Sequence, residues 1–305
     1  MIEKENKDYL NSLLEIYEKQ KSIDTVSGWK QLHRRVSIDR NRRRFFIFIR
    51  NSAAILLPLF LAYQYLIYPI LVEGRAQQEV LTVTSAPGMV IKTVLPDGSE
   101  VWLNASSTLT YPQRFTEKDR IVQLSGEAYF KVVSDKKHRF LVETPNEIVV
   151  SAFGTEFNVN AYENEGNYEV TLASGNVELY SNISSGAIKT LKVDEKAVVD
   201  LSTGEINVVL ADTYVETAWK DGKMVFRREK LDKIATKLSR KFGVEIHLKG
   251  EDLKEYEYTA TFTTETLEDI LDLLKRSAPI SYTINNQKKQ DNDTYSRKEV
   301  IIKTI

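Results

Sequence analysis

Few side chains in this 305-residue chain could carry covalent or metal chemistry. It has no cysteine, which excludes a thiol nucleophile, a thiolate metal site and a disulfide scaffold. Its three histidines, His33, His138 and His247, lie far apart, and no pair has metal-ligand spacing. A catalytic triad would need one of them, and no supporting motif surrounds any. Gly126-Glu127 and the nearby acids could supply a carboxylate for acid–base work. No partner acid stands at a telling spacing, and a turn followed by a charge on a strand face is the commoner use of such a pair. Gly154-Thr155 offers more. In a strained turn the Thr155 hydroxyl can attack the carbonyl of Gly154 in an N→O acyl shift, and glycine has no side chain to hinder it. An ordinary bend between strands would use the same two residues. The expectation is a protein that is not an enzyme and uses no metal or cofactor. Self-cleavage at Gly154-Thr155 is its one candidate reaction.

The elements that would position these residues follow from how charge is laid along the chain. The net charge is −1, from 42 basic and 43 acidic residues. It is unevenly distributed: residues 1–50 carry +5, residues 51–72 carry no charge, and the remainder carries −6. The uncharged stretch from Ala53 to Val72 is 20 residues long, and an apolar helix of ~20 residues spans a bilayer core. Tyr63, Tyr65 and Tyr68 suit an interfacial belt, and Pro58 and Pro69 are tolerated in membrane helices. A buried core helix or a cleaved signal peptide are the other readings. A core helix seldom runs so long without charge, and a long n-region without a clear cleavage site speaks against the signal peptide. Arg42, Arg43 and Arg44 stand in the basic cluster before the segment, and Glu73, Arg75 and Glu79 follow it. The positive-inside rule then places the N-terminus in the cytoplasm and the body outside. The absence of cysteine suits an oxidising compartment.

Residues 1–44 read as a short α-helical head. Leu10, Leu13, Leu14 and Tyr17 fall on one helical face, and Val26, Trp29, Leu32 and Val36 form a second stripe. So short a segment cannot bury a sizeable core alone, so it either stays partly disordered or lays its stripes on a partner. Trp29 is the best anchor.

The body divides at the point where the hydrophobic period changes. Residues 80–210 read as an all-β domain, sandwich or solenoid, with strands at Val90–Leu95, Glu100–Leu103, Ile121–Leu124, Glu127–Val133, Phe140–Thr144, Glu147–Ala152, Glu156–Ala161, Tyr168–Leu172, Asn176–Tyr180 and Lys196–Asp200. Asp97-Gly98 between two apolar runs signals a hairpin. Residues 218–305 read as α+β with an internal repeat at an offset of 36. Phe226, Leu231, Ile234, Leu238, Val244, Ile246 and Leu248 align with Phe262, Leu267, Ile270, Leu274, Ile280, Tyr282 and Ile284. Each copy is expected to be a βαβ unit, with both helices on one side of a small sheet. Sheet edges would remain available for strand addition.

Six ordered blocks carry a family resemblance: LPDGSEVWLNASS (Leu95 to Ser107), YP (Tyr111-Pro112), RIVQLSGEAYFKV (Arg120 to Val132), FLVET (Phe140 to Thr144), FGTEFNVNAY (Phe153 to Tyr162) and VTLASGNVEL (Val170 to Leu179). With them the chain resembles FecR-type transmembrane anti-sigma factors, in the form common among Bacteroidetes-like bacteria. The C-terminal repeat resembles the short signalling domain shared by secretins and TonB-dependent receptors. The resemblance implies a multi-domain inner-membrane protein: a cytoplasmic sigma-binding head over 1–44, a transmembrane helix region over 45–72, and the two domains above in the periplasm. Leu10, Leu13, Leu14, Tyr17, Trp29 and Leu32 would contact an extracytoplasmic-function sigma factor. The body would receive the signalling domain of an outer-membrane TonB-dependent transporter, and envelope proteases would free the head. The protein would not touch nucleic acid itself. Some relatives cleave themselves at a Gly-Thr bond in the matching motif. The rival reading is a structural adaptor of an envelope complex with a secretin-like interaction module. A weaker one is a polysaccharide-binding protein or hydrolase, for which no groove of aromatics and paired acids can be located.

Overall fold

The computed structural model describes residues 2–21, 26, 29–30, 45, 56, 58–67, 79–115, 118–181, 183, 187–286 and 296–305. They fall into two compact units, Met1–Gln77 and Gln78–Ile305.

In the first unit, α1 spans Ile2–Lys21 and ends on Lys19 and Lys21, cations that complement the negative end of the helix dipole. Leu10, Leu13, Leu14 and Tyr17 are all exposed, as are the helical residues Val26 and Trp29. Residues 58–62 are helical and lead into a π-helix, Tyr63–Ile67. Leu32, Arg42, Arg43 and Arg44, and much of the apolar segment, lie outside the described residues. No helix among the described residues is long and apolar enough to cross a membrane.

The second unit begins with two β-sheets around one core. The first sheet holds β1 (Val80–Thr84), β4 (Thr108–Pro112), the first half of β5 (Arg120–Lys131), β6 (Phe140–Glu143), β7 (Ile148–Ala152), β10 (Val177–Ser181) and β11 (Ala187–Leu191), in that order across the sheet. The second runs β2 (Ile91–Val94), β3 (Glu100–Leu103), the second half of β5, β8 (Glu156–Ala161), β9 (Asn167–Ser174), β12 (Glu195–Asp200) and β13 (Ile206–Leu210). All neighbours are antiparallel except β5 and β6. The arrangement is a sandwich, because Val122, Leu124, Ala128 and Phe130 of β5 point into one cluster that residues of both sheets complete.

One long β5 replaces the two strands read at Ile121–Leu124 and Glu127–Val133. It pairs with β4 and β6 up to Ser125, and with β3 and β8 from Gly126 onward. The change of sheet occurs at Gly126, whose φ is +99°. A Cβ there would stand 2.8 Å from the Ser107 Cα and closer still to its side chain, so only glycine lets the strand turn the corner. Strands β1, β4, β11 and β13 do not stand out as separate runs in the sequence.

The Asp97-Gly98 hairpin joins β2 to β3, with Gly98 at φ +85°. Its Asp97 also does long-range work. Oδ1 accepts from the Ser99 amide, and Oδ2 accepts from the Ser99 hydroxyl and from Nη1 of Arg120 at 2.6 Å. Arg120 is only 4% exposed and also donates to the carbonyls of Val133 and His138. The hairpin is thereby tied to the first residue of β5.

A short helix α2 (Thr213–Thr217), capped by Asp212, and a 3-10 turn (Ala218–Asp221) lead into the C-terminal module. There β14 (Met224–Lys230), α3 (Leu231–Phe242) and β15 (Glu245–Lys249) form the first copy of the repeat. β16 (Glu257–Phe262), α4 (Leu267–Ser277) and β17 (Ile280–Asn285) form the second, followed by β18 (Glu299–Thr304). Thr266 and Asp269 make a capping box on α4. All fourteen repeat positions lie in or against one core cluster.

The copies are not βαβ units, and their helices do not share one small sheet. In each copy the two strands go to different sheets. The first strands pair with each other, β14 antiparallel to β16, while β15 and β17 flank β18. The reason is β18, which lies outside the repeat and takes the central place, parallel to β15 and antiparallel to β17. The β14–β16 register pairs Met224 with Phe262 and Phe226 with Ala260. Those pairs exchange under the offset of 36, so the two copies are related by a local two-fold.

Candidate functional site at the interdomain junction

The alternation of β5 breaks after Gly126. Inward residues stay buried, but Glu127 and Tyr129, on the outer face, are buried too, at 8% and 4% exposure. The cover is the α2 turn and the C-terminal module. Beneath it, the Glu127 carboxylate accepts from the amides of Asn104 at 2.7 Å and Asn158 at 2.9 Å. Asn158 in turn accepts from the indole N–H of Trp219 at 3.2 Å. Burial raises the Glu127 carboxyl above the ordinary carboxylate range, against the pull of the two amides and of Arg240 and Lys237.

Arg240 comes from α3 and reaches across the junction. Its guanidinium lies 3.8 Å from the centroid of the Tyr162 ring and pairs with Glu165. Both partners belong to the sandwich side. Burial raises the Tyr162 hydroxyl, and the nearby Glu127 charge adds to that rise. Nearby, Lys196 of β12 bridges Glu169 at 3.1 Å and Glu216 of α2 at 2.8 Å. Burial disfavours its charge, but the two carboxylates outweigh that, and its ammonium is held above the usual lysine range. Tyr129 donates to Glu156 at 2.7 Å, with Lys220 over its ring. Between these groups lies a cavity of about 90 Å³, lined by Asn104, Glu127, Trp219, Phe226 and Arg240 among others. The buried Asn160 Oδ1 has no hydrogen-bond partner.

The arrangement is a lock of charge-assisted bonds across a domain boundary. It lacks a nucleophile beside a base and any second acid free to act with Glu127. Among the described residues no group of histidines and acids could hold a metal ion. His138 pairs with Asp135 at 2.7 Å, which lowers that carboxyl to about 2, and the pair is surface-borne. His247 is likewise exposed, and His33 lies outside the described residues.

Gly154 and Thr155 sit at the bend before β8. Gly154 has φ +64°, and a Cβ would stand 2.6 Å from the Ser134 Cβ. Thr155 is 2% exposed and its hydroxyl has no hydrogen-bond partner. The exposed face of α1 lies in the first unit, and Glu127, Gly154 and Thr155 lie in the second. Glu127 was legible only as a strand-face charge; its place at the junction was not.

The FecR protein model matches residues 81–178, and the FecR C-terminal model matches residues 223–289. The chain belongs to the FecR family. Two crystal structures of a candidate anti-sigma factor from Parabacteroides distasonis, at 2.50 and 1.65 Å resolution, share its fold. Each superposes with a TM-score of 0.63 at 26% identity and covers 74% of this chain and 99–100% of its own. No curated protein matches the chain. Within the FecR match, the block residues Asn104, Glu127, Asn158 and Tyr162 converge on the junction.

Proposed function

We propose that this FecR-family protein is a sigma regulator that relays an envelope signal across the inner membrane. Its N-terminal head binds an extracytoplasmic-function sigma factor, residues 45–72 span the bilayer, and the sandwich and C-terminal module face the periplasm. There they receive the signalling domain of a TonB-dependent transporter, and envelope proteolysis then frees the head. The observation that carries the reading is the pairing of both FecR domains on one chain with a helix whose apolar stripe, Leu10 to Tyr17, is laid open. An amphipathic helix with its apolar stripe exposed is the usual form of a groove-binding segment. One helix transmits a conformational change poorly, since coupling needs two distinct states of some element, and proteolysis avoids that need.

The test is co-purification of the full chain, in detergent, with the sigma factors of its own cell. The wild type should retain one of them. A chain with Leu13, Leu14 and Trp29 changed to Ala should retain less than a tenth as much. Equal retention by both sinks the assignment of the head. A reporter enzyme active only outside the cytoplasm, fused after Ile305, should be active; an inactive fusion sinks the topology.

Self-cleavage at Gly154-Thr155 belongs to the same reading. The Thr155 Oγ bonds to the Gly154 carbonyl carbon, the C–N bond breaks, and the hydroxyl proton passes to the released nitrogen. Water then hydrolyses the ester to a Gly154 carboxylate and restores the hydroxyl. The buried, unpaired Thr155 hydroxyl and the left-handed Gly154 support this single-turnover event. Wild-type protein should show two fragments and Thr155→Ala only the full chain; two fragments from Thr155→Ala refute it.

A further inference from the structure

The internal two-fold makes two equivalent grooves, each between the outer edge of a first strand and the helix that follows it. In the first copy, Met224 and Phe226 of β14 and Lys237 and Lys241 of α3 line the junction cavity. The offset of 36 carries these to Ala260, Phe262, Leu273 and Ser277, and all four line one groove in the second copy. The two grooves differ in what covers them. The first is closed over by Trp219, Val215 and the sandwich, which leaves about 90 Å³. The second is open, about 620 Å³. Among the described residues, β16 pairs with β14 and with no other strand, so its second edge carries unpaired backbone groups.

Two further observations say what fits there. Tyr258 lines the open groove, is 9% exposed, and its hydroxyl has no partner. A buried polar group left unmade is costly, and turning that enclosed O–H outward to a docked backbone carbonyl would satisfy it. The second concerns charge. Arg276 stands where Arg240 stands in the first copy, and Arg240 meets Glu165 beside an aromatic ring. Arg276 is exposed and has no ion-pair partner among the described residues. The two lysines of the first groove are replaced by Leu273, 45% exposed, and Ser277. The second groove is therefore more apolar than the first: the one charged side chain among the described residues that line it is Glu257, which is paired with Arg228, and the cation Arg276 directly precedes the lining residue Ser277 on α4.

We propose that the open groove between β16 and α4 is a docking site for an extended segment of a partner polypeptide, apolar toward Leu273 and Phe262 and carrying a carboxylate that meets Arg276. The segment adds to the edge of β16 by main-chain hydrogen bonds, and the apolar floor and Arg276 give selectivity. The first groove is the precedent, because the same wall already takes a protein cover within this chain. The proposal rests on the reading that the C-terminal module receives a protein signal, and supplies the place where it lands.

The experiment uses the full chain in the cells that express it, with a photo-crosslinking residue at Leu273 or Thr261, both exposed, and a control at Lys249 on β15. Adducts from 273 and 261 are expected, sequenced to a partner peptide that carries Asp or Glu. Arg276→Glu should cut their yield roughly tenfold, and replacing that partner carboxylate by Lys should restore it. Adducts from 249 alone overturn the groove and leave the reading of the module standing. Adducts joining two copies of this chain, or a yield indifferent to Arg276→Glu, overturn the groove as a site for a partner. No adduct at any of the three positions overturns both.

Discussion

Arg240→Met tests whether the junction is a lock or a mere contact. The perturbation removes a charge from α3 while keeping the length of the side chain. The Arg240 backbone, whose carbonyl accepts from the Gly88 amide at 3.0 Å, stays in place. The partners sit on the sandwich, so each domain keeps its own core and the loss falls on their docking. The two side chains of the ion pair are 14% and 13% exposed, so Glu165 would be left largely buried without a cation, holding only the Asn160 amide at 3.2 Å. Removing one partner of a buried pair costs about 3–5 kcal/mol. The stacking on Tyr162 is a further ~0.5–2 kcal/mol. Residual solvent access argues for the lower end, about 3 kcal/mol in all. With a urea slope of roughly 1–3 kcal/mol/M, the unfolding midpoint of residues 78–305 should fall by about 1 M or more. Hydrogen exchange should rise first in α2, the 3-10 turn and the outer face of β8. A shift worth less than about 1 kcal/mol, the measure of an exposed pair, would refute the view that the junction is buried and cooperative.

Three other outcomes follow from the same geometry. Gly126→Ala should destabilise the sandwich by more than about 2 kcal/mol, since φ +99° is strained for alanine and the new Cβ meets Ser107 at under 3 Å, read by chemical denaturation. Asp97→Asn should cost on the order of 3 kcal/mol, because it leaves the Arg120 charge buried. Arg120→Met added to Asp97→Asn should recover part of that loss, and no recovery would mean the hairpin turn, not the ion pair, carries the effect. Glu127 holds its proton more tightly folded than unfolded, so its contribution is intact below the usual carboxylate value of ~4.3. That contribution is lost as pH rises through the higher folded value. Glu127→Gln should flatten this fall when urea midpoints of the two proteins are compared across pH 4 to 8; parallel profiles would count against a buried carboxylate.

What the sequence disclosed depended on how local the cause was. The Asp97-Gly98 hairpin and the repeat at an offset of 36 are written in turn chemistry and in apolar spacing, both short-range. The course of β5 was not, because Gly126 inside a strand looks like a break between strands. Only Ser107, some twenty residues earlier, shows why it is a corner instead. The fate of β15 and β17 was hidden for a similar reason: β18, outside the repeat, decides the sheet. Glu127 shows the limit most clearly. A charge at an outward position of a strand is ordinarily solvated. Its burial is produced by Trp219 and by Arg240, more than ninety residues downstream. Thr155 was singled out for its hydroxyl and the glycine before it, and the unpaired state of that hydroxyl is a fact of packing that spacing does not encode.

The position of Gly154 within the sandwich bears on what breaking its bond would accomplish. The chain up to that point supplies β1 to β7, and the chain after it supplies β8 to β13 and the C-terminal module. Yet β8 is zipped to β5 over six residue pairs and β10 to β7 over five. Phe130 of the first part stacks on Phe157 of the second with ring centroids 5.1 Å apart. Severing the peptide would therefore leave two polypeptides folded as one body, like two halves of a split reporter already assembled. The backbone would no longer be what resists separation. Tension along the chain would meet a sheet interface instead of a covalent bond, and a cut molecule could wait, whole in shape, until something pulls.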